Sequence, residues 1–424
     1  MRKTNLIILA FILFVVYGCK DDEQEVTTGT VTGTVIDANT DVGLEGVRII
    51  LFESNSNSPI TSLTTDAEGK YKVEAIAGSY YLKLYHNGYN QVPPKGMSPV
   101  PFTVSVGNEL SQPYEMSPSE VRNGGYIKGK VSEGATPIAG VLVVAEQNGQ
   151  GYSAITDAAG EYFIYNLAEG SYSLKGWIAG YSSEQQTVSV AASTETIQDL
   201  KLTTGATGAV TGSITFLASS AKEVDITLVH PATREPIPGL MTKTSQNYTI
   251  LNVPSGTYIA RATFQNDERV VDPDWIIKNG EPEVTVSNGS VSRDFSLTGA
   301  VILNTPTNLP TTTEPVVVNS TTPELSWTPY SSTSDYVVEV SDANGNVIWG
   351  GFRDGLVGPE KKFSVPSSQT KVTFNADLSA TEELVPGKVY RWRVYASKND
   401  TKEITGWKLI SVSEDQVGLI QVAE

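Results

Sequence analysis

Cysteine and histidine are nearly absent from this chain of 424 residues, which contains one cysteine, Cys19, and two histidines, His86 and His230. A single thiol can form neither an internal disulfide nor a cysteine-built metal site. Neither histidine stands in a metal-ligand spacing such as His-Glu-x-x-His. We therefore expect no metal site and no cofactor.

Catalytic signatures are missing as well. No Gly-x-Ser-x-Gly elbow is present, although this motif usually places the nucleophile of a serine hydrolase. The acidic residues fall mostly in turns and tails, where they offer no deep cleft for a pair of catalytic carboxylates. We expect a protein that is not an enzyme, with a hydrolase as the distant alternative.

Positive charge is in short supply. The chain has 30 lysines and arginines against 47 acidic residues, which gives a formal net charge of −17. Such a protein repels nucleic acid and anionic lipid, so neither is expected as a main partner. The simplest role of this charge is to keep the protein soluble.

Helical patterns with capping residues are also lacking after the first 18 residues. Short alternating segments such as "TVTGTVID" (30–37) and "YIKGKV" (126–131) are separated by regular turns. Alternation with period two predicts strands, and many short strands with frequent turns predict β-sandwiches. The expected fold class is all-β, with several sandwich domains in tandem.

The first 18 residues form a leader pattern. Arg2-Lys3 precedes an apolar run, residues 6–16, which is too short to span a bilayer comfortably. Small Gly18 stands directly before Cys19, and this pair resembles a bacterial lipobox. The resemblance implies a signal peptide at 1–18, cleavage before Cys19, and acylation of Cys19 by lipid such as palmitate. Two or more acyl chains would anchor the protein stably to a membrane.

An acidic cluster follows the cysteine: Lys20, Asp21, Asp22 and Glu23. It resembles the export signal that sends lipoproteins of Bacteroidota to the outer face of the outer membrane. This resemblance implies a tether at 19–28 and a lipid-anchored protein that faces the cell exterior.

Internal repeats occupy the next part of the chain. "TDAEGKY" (65–71) matches "TDAAGEY" (156–162), and "GSYYL" (78–82) matches "GSYSL" (170–174). A third copy, "YTILNVPSGTYIA" (248–260), has lost the Asp-x-x-Gly turn. Within that turn, the aspartate can bond its own backbone and the glycine can take a positive φ.

These motifs resemble the carboxypeptidase regulatory-like domain, a transthyretin-like β-sandwich grouped with carbohydrate-binding-like folds. The resemblance covers residues 29–118 and 124–204, with a degenerate copy at 207–300. The family name refers to an accessory domain beside a peptidase, so it implies no peptidase activity here.

The last quarter of the chain has a different pattern. Residues 304–323 are rich in Pro, Thr and Asn, which predicts an extended linker. The module at 324–424 resembles a fibronectin type III domain. It has Trp327 on a strand and a tyrosine-corner pattern formed by Leu384, Pro386, Gly387 and Tyr390.

Three aromatic residues are candidates for sugar binding. Tyr81 and Tyr85 alternate with Tyr80, Leu82 and Leu84, so they point away from the core of their own sandwich. Trp177 takes the place of Tyr85 in the second copy. Such rings could stack on a sugar, or they could pack against a neighbouring module.

The sequence thus predicts a non-catalytic surface lipoprotein. Its sandwiches would act as a stalk or scaffold, or as an adhesion module, with the fourth domain farthest from the anchor. The alternative is a carbohydrate-binding lipoprotein that captures glycans. The expected partners are the membrane, through the lipid, and either a surface protein complex or an extracellular polysaccharide.

Overall fold

The computed structural model describes residues 27–423, except 57, 95, 96, 98, 122, 218, 219, 264–267, 313 and 344. The predicted leader, Cys19 and the acidic cluster 20–23 lie outside the described residues. Within the described part, the chain folds into 39 strands and one short helix, which confirms the all-β prediction. The strands form four sandwiches that follow one another along the chain.

The first sandwich has two sheets, with strand orders β4-β1-β7 (β8 also pairs with β1) and β3-β2-β5-β6. Its strands β7 and β8 run parallel to β1, and the other pairs are antiparallel. The strands are β1 (Thr28–Asp37), β2 (Arg48–Glu53), β3 (Ser58–Thr64), β4 (Lys70–Ile76), β5 (Gly78–Tyr85), β6 (Phe102–Val104), β7 (Glu109–Ser111) and β8 (Tyr114–Met116).

The second sandwich repeats this plan. One sheet has the order β10-β9-β18-β15, with β13 and β17 also on β9, and the other has the order β12-β11-β14-β16. The strands are β9 (Gly125–Glu133), β10 (Thr136–Pro137), β11 (Leu142–Gln147), β12 (Gln150–Ile155), β13 (Glu161–Leu167), β14 (Gly170–Trp177), β15 (Tyr181–Ser183), β16 (Gln186–Val190), β17 (Glu195–Ile197) and β18 (Leu200–Thr204).

The third sandwich adds a helix to the same plan. Its sheets have the orders β22-β19-β27-β24, with β26 on β19, and β21-β20-β23-β25. The elements are β19 (Thr207–Phe216), β20 (Val224–Val229), β21 (Pro236–Thr244), β22 (Asn247–Pro254), β23 (Gly256–Ala262), β24 (Arg269–Val271), α1 (Pro273–Asn279), β25 (Glu283–Val286), β26 (Ser290–Ser292) and β27 (Phe295–Gly299).

The fourth sandwich is built differently. Its sheets have the orders β28-β30-β36 and β29-β39-β37-β31-β32, with β35 on β31, β38 on β37, and a separate hairpin β33-β34. The strands are β28 (Leu303–Thr305), β29 (Val316–Val318), β30 (Glu324–Trp327), β31 (Asp335–Asp342), β32 (Val347–Gly350), β33 (Phe352–Arg353), β34 (Glu360–Lys361), β35 (Ser364–Pro366), β36 (Lys371–Thr373), β37 (Val389–Asn399), β38 (Trp407–Val412) and β39 (Leu419–Val422).

The Asp-x-x-Gly turns form as the sequence predicts. Asp66 Oδ1 accepts hydrogen bonds from the backbone N–H groups of Glu68 (3.1 Å) and Lys70 (2.7 Å). Gly69 has a φ of +76°, and a Cβ added there would lie 2.3 Å from the carbonyl oxygen of Val35. Only glycine avoids that clash at this φ. Asp157 forms the same turn in the second sandwich.

A second shared feature spans the central strand of one sheet, β1, β9 or β19, in each of the three repeats. The hydroxyls of Tyr71, Tyr162 and Tyr248 each donate to a backbone carbonyl, that of Gln112, Gln198 and Arg293 respectively. Each carbonyl lies against a glycine of β1, β9 or β19, where an added Cβ would clash with it at 1.8 to 2.1 Å. The third repeat keeps this bond although it has lost the turn, so the copy is structurally intact.

The fourth sandwich has a core of large aromatic residues, including Trp327, Tyr336, Trp349 and Trp392. The backbone N–H of Val385 donates to the hydroxyl of Tyr390 at 2.9 Å, which is the hydrogen bond expected of a tyrosine corner. The predicted corner is therefore present.

The predicted linker 304–323 is part of this fourth sandwich instead. Strand β28, at the start of this segment, pairs with β30, and strand β29, within it, pairs with β39. Asn308 is buried, and its amide donates to the carbonyls of Thr312 and Gln416 while its side-chain oxygen accepts from Leu419 N–H. Proline and threonine predicted an extended backbone, but an extended backbone can also complete a sheet edge.

Candidate functional site at the junction of the sandwiches

The three predicted sugar-binding rings are buried. Tyr81, Tyr85 and Trp177 are 1%, 7% and 9% exposed. They do point away from the core of their own sandwich, as the alternation predicted, because Tyr80, Leu82 and Leu84 fill that core. Neighbouring sandwiches cover the rings, so no ring face is open to a sugar. The structure contradicts the glycan-binding role and matches the alternative, packing between modules.

These rings belong to one hydrophobic cluster that joins three sandwiches, which we call the junction cluster. The outer face of the β2–β5 sheet and the outer face of the β11–β14 sheet both merge with the core of the third sandwich. The junction cluster includes eight residues of the first two sandwiches: Ile50, Phe52, Tyr81, Tyr85, Leu142, Val144, Ile155 and Trp177. Each such side chain stabilises the assembly by roughly 1.5–3 kcal/mol when it is removed from water.

Ring contacts give the junction cluster a specific geometry. Phe52 and Tyr81 stack with centroids 4.9 Å apart and an interplanar angle of 5°. Trp177 meets His230 edge-on at 5.1 Å and Tyr258 edge-on at 5.7 Å. Both residues belong to the third sandwich, so Trp177 ties the second sandwich to the third through preferred aromatic geometries.

A buried ion pair links the first sandwich to the third. The ammonium of Lys83 contacts the carboxylate of Glu235, and both residues are buried. The Nε2 of Gln91 also donates to Glu235, at 2.8 Å. A charge held this far from water is tolerated only while its partner stays in place.

Arg48 connects the first sandwich to the second. Its Nη2 lies 3.2 Å from Asp157 Oδ2 and donates to the carbonyl of Glu161 at 3.1 Å. Its guanidinium also lies over the ring of Phe163, 4.9 Å from the centroid. Close by, Asn166 accepts from Gly88 N–H and donates to Tyr89 O, both at 2.7 Å.

The fourth sandwich contacts the third sandwich along helix α1. Lys278 lies 2.9 Å from Glu403, and Asp274 accepts a hydrogen bond from Leu409 N–H at 2.8 Å. An apolar cluster including Val270, Val337 and Tyr395 fills the space beside the helix.

The fourth sandwich also contacts the first. Met97, Val389 and Leu419 pack together, and Gln416 Nε2 donates to the carbonyl of Pro99 at 3.0 Å. Lys388 of the fourth sandwich forms an ion pair at 2.7 Å with Glu120, which lies on the segment between the first two sandwiches. The chain therefore folds back on itself, and the fourth sandwich does not lie at the far end of an extended array.

His230 is buried in the junction cluster and is not a surface histidine. Burial lowers its pKa to about 4, and the ammonium of Lys175 adds to the effect. The ring is therefore neutral at pH 7, and its Nδ1 accepts from Ala232 N–H at 3.2 Å. Burial, with the nearby Glu235 carboxylate, likewise holds the pKa of Tyr81 and Tyr85 well above the usual value.

The sequence reasoning missed four polar residues that connect the sandwiches: Arg48, Lys83, Asn166 and Glu235. The available signal was strand composition, because "VRIILF" (47–52) and "GVLVVA" (140–145) are apolar on both faces. Strands of this kind are typical of sheets covered on both sides. The charged residues within or near such strands were therefore candidates for buried contacts.

The described part of the chain holds neither a metal cluster nor a membrane-spanning helix. It contains no group of three or more His, Cys, Asp or Glu side chains placed to hold a metal ion. Asp37, the last residue of β1, accepts hydrogen bonds from the backbone N–H groups of Asn39 and Thr40 and from the hydroxyl of Tyr89. None of the described helices is long and apolar enough to cross a membrane.

Comparison with known families identifies two of the sandwiches. Residues 30–109 and 126–203 match the carboxypeptidase regulatory-like domain. Tandem domains of this type, with their β-sandwich fold, are thus present in the first two sandwiches. No curated protein matches the chain.

Several solved structures are similar to parts of the chain. The chain is 16% identical to the TIE protein of Bacillus anthracis, with 64% of this chain and 51% of that chain covered and a TM-score of 0.18. It is 12% identical to BcpA, the major pilin subunit of Bacillus cereus, with 64% and 100% covered and a TM-score of 0.19. A leucine-rich repeat protein from Bacteroides thetaiotaomicron is 14% identical, with 41% and 26% covered and a TM-score of 0.22.

Proposed function

We propose that this chain is a non-catalytic lipoprotein of the bacterial outer membrane, which faces the cell exterior and serves as a scaffold for a surface complex. Cys19 carries the lipid, and Lys20, Asp21, Asp22 and Glu23 direct export. Residues 29–118, 124–204 and 207–300 are regulatory-like domains, and 324–424 is a fibronectin type III-like domain. The lipobox-like leader and the acidic cluster support this location.

The junction cluster carries the scaffold proposal. A flexible stalk needs only small interfaces between successive domains, because its role is to hold a distal domain away from the membrane. Here Tyr81, Trp177 and the pair Lys83–Glu235 are buried between sandwiches. Interfaces that bury aromatic rings and charged pairs hold domains in one fixed arrangement. A fixed arrangement suits a protein that positions other molecules.

The contact surface for a partner is proposed on the loops of the fourth sandwich. Loops held by a rigid framework are the usual place for binding residues. Three large apolar side chains on these loops are strongly exposed: Leu356 (103%), Leu378 (87%) and Ile404 (78%). Glycan capture by Tyr81, Tyr85 and Trp177 is not proposed, because all three are covered.

Site-specific cross-linking in the native cell tests the proposal. A photoreactive residue is placed at 356, 378 or 404, with position 197 on the second sandwich as the control, since Ile197 is also exposed (66%). We expect one or two dominant protein partners, trapped from the fourth sandwich and not from position 197. Co-purification of polysaccharide without any protein partner would contradict the scaffold role and favour glycan capture.

A further inference from the structure

A cavity of about 420 Å³ lies where the second, third and fourth sandwiches meet. Four of the ten arginines in the chain line it: Arg234, Arg261, Arg391 and Arg393. In a protein with a net charge of −17, so many guanidinium groups around one space are unexpected. The cavity borders the junction cluster, with which it shares Ala260 and Ala262.

The first arginine pair shares one carboxylate. Arg234 and Arg261 lie 3.2 and 3.5 Å from the same oxygen of Glu281. The Nη1 of Arg261 is buried and has no hydrogen-bond partner in the described structure. Burial lowers the pKa of Arg234, and the neighbouring Arg261 adds to this effect. The pair therefore has more donors than Glu281 can satisfy.

The second arginine pair lies on strand β37. Arg391 and Arg393 are two positions apart, so their side chains share one face of the strand. Arg391 Nη1 donates to the carbonyl of Asp415 at 3.4 Å. Arg393 interacts with the side chain of Tyr395, but its Nε is buried without a hydrogen bond. Burial and the adjacent Arg393 lower the pKa of Arg391 to about 10, so both groups remain cationic at pH 7.

The rest of the lining defines what the cavity can accept. Three acids in the lining, Glu281, Glu414 and Asp415, face the four arginines. A fourth acid, Glu339 on the neighbouring strand β31, interacts with Arg391 and Arg393. An apolar wall stands beside them, formed by Val270, Ile276, Ile277 and Val412. The guanidinium N–H groups of Arg261 and Arg393 that lack a hydrogen bond fit one carboxylate attached to an apolar body, whereas the acids oppose a dianion.

We propose that this cavity is a binding site for an organic monocarboxylate with an apolar portion. Guanidinium groups present paired N–H donors whose planar geometry matches a carboxylate. A volume of about 420 Å³ falls within the range of ligand sites in proteins, about 300–1,000 Å³. The site adds a ligand to the scaffold function and does not depend on the identity of the surface partner.

Calorimetric titration of the full chain in mild detergent tests this site. The probes are phenylacetate, hexanoate and an apolar dipeptide with a free carboxyl terminus, each paired with its uncharged amide. We expect at least one acid to bind, and its amide to bind at least about tenfold more weakly because it lacks the charge. Preference for the dipeptide identifies a peptide terminus as the source, and preference for the simple acids identifies a free metabolite.

Several results would overturn the proposal. These are the absence of binding by every acid at millimolar concentration, equal binding of acid and amide, and displacement of the acid by an equal concentration of inorganic phosphate. The comparison of acid and amide uses the unaltered protein, so it holds even where a variant fails to fold.

A matched pair of variants locates the site. Arg261→Gln removes a guanidinium from the cavity, and Arg353→Gln removes one from the surface, where Arg353 is 63% exposed and paired with Glu360. We expect Arg261→Gln to weaken acid binding at least about tenfold and Arg353→Gln to leave it unchanged. An equal loss in both variants would mean a general effect of charge and would contradict the assigned location.

Discussion

Asp157 supports two structures at once: one carboxylate oxygen holds its own turn, and the other lies 3.2 Å from the guanidinium of Arg48 in the preceding sandwich. The repeat turn, predicted as a local feature, is therefore also part of an interface. Both side chains are largely buried, at 10% and 15% exposed. Loss of Arg48 removes the charge partner while the turn keeps the carboxylate in place.

Replacement of Arg48 should destabilise the protein. Arg48→Met leaves the buried carboxylate of Asp157 unpaired, and we expect the free energy of unfolding to fall by about 3 kcal/mol. Urea denaturation followed by intrinsic fluorescence measures the change. Arg353→Met is the matched control, because its exposed ion pair should contribute less than about 1 kcal/mol. Equal shifts in the two variants would contradict a role for Arg48 in the interface.

The Lys83–Glu235 pair should show strong coupling. Lys83→Met leaves Glu235 with only the Gln91 amide, so we expect a loss of about 3–5 kcal/mol. The double variant Lys83→Met/Glu235→Leu removes both charges and should recover much of that loss. A double-mutant cycle by urea denaturation measures the coupling. Additive single effects would show that the two charges do not interact.

Truncation of Trp177 should open the junction cluster. Trp177→Ala removes the ring that contacts His230 and Tyr258, and we expect a loss of about 3–5 kcal/mol together with faster proteolysis between the second and third sandwiches. Trp275→Ala is the control, since Trp275 is 50% exposed on α1. Limited proteolysis with mass mapping checks both variants. Unchanged digestion of Trp177→Ala would mean that the cluster does not hold the sandwiches together.

Acid should weaken the same cluster through His230. Its pKa is about 4 in the folded protein and about 6.5 when unfolded, so the unfolded state takes up the proton first as the pH falls. The contribution of neutral His230 to the free energy of unfolding is fully present above pH 6.5. It falls by about 1.4 kcal/mol per pH unit towards pH 4, by roughly 3 kcal/mol in all.

His230→Phe keeps a ring beside Trp177 but cannot take up the proton. Denaturation at several pH values between 4 and 7 should show a shallower loss of stability for this variant than for the native protein. Because carboxylates titrate equally in both proteins, the difference between the two curves isolates His230. Parallel curves would mean that His230 does not control the acid response.

Lipid attachment at Cys19 can be tested directly. Cys19→Ser should abolish incorporation of labelled palmitate and move the protein from the membrane fraction to the soluble fraction, because the chain has no second thiol. Replacement of Asp21, Asp22 and Glu23 by Ala should keep the label but remove the protein from the protease-accessible cell surface. Persistent palmitate labelling of Cys19→Ser would contradict the anchor.

Features set by neighbouring residues were predictable from the sequence. The turn at Asp66 and Gly69 and the corner at Tyr390 depend on side chains within a few positions, and both formed as predicted. The strand alternation also placed Tyr81 and Tyr85 correctly on the outer face of their sheet. That alternation describes one sandwich, however, and it contains no information about which surface covers the outer face.

Contacts between sandwiches were not predictable for the same reason. Lys83 and Glu235 are 152 positions apart, and nothing local in either segment indicates the other. The Pro- and Thr-rich segment 304–323 was equally ambiguous, because an extended chain has the same local pattern in a linker and at a sheet edge. The arginine cavity depends on three sandwiches and appears only when they are assembled.

The contact between the fourth and first sandwiches has a mechanical consequence. Tension between a lipid at Cys19 and a partner held by the fourth sandwich would not stretch the four sandwiches one after another. The contacts at Pro99–Gln416 and Glu120–Lys388 connect the two ends of this load path directly, in parallel with the route through the second and third sandwiches. Under small forces the protein would thus behave as a stiff block, and it would lengthen only after these contacts had broken.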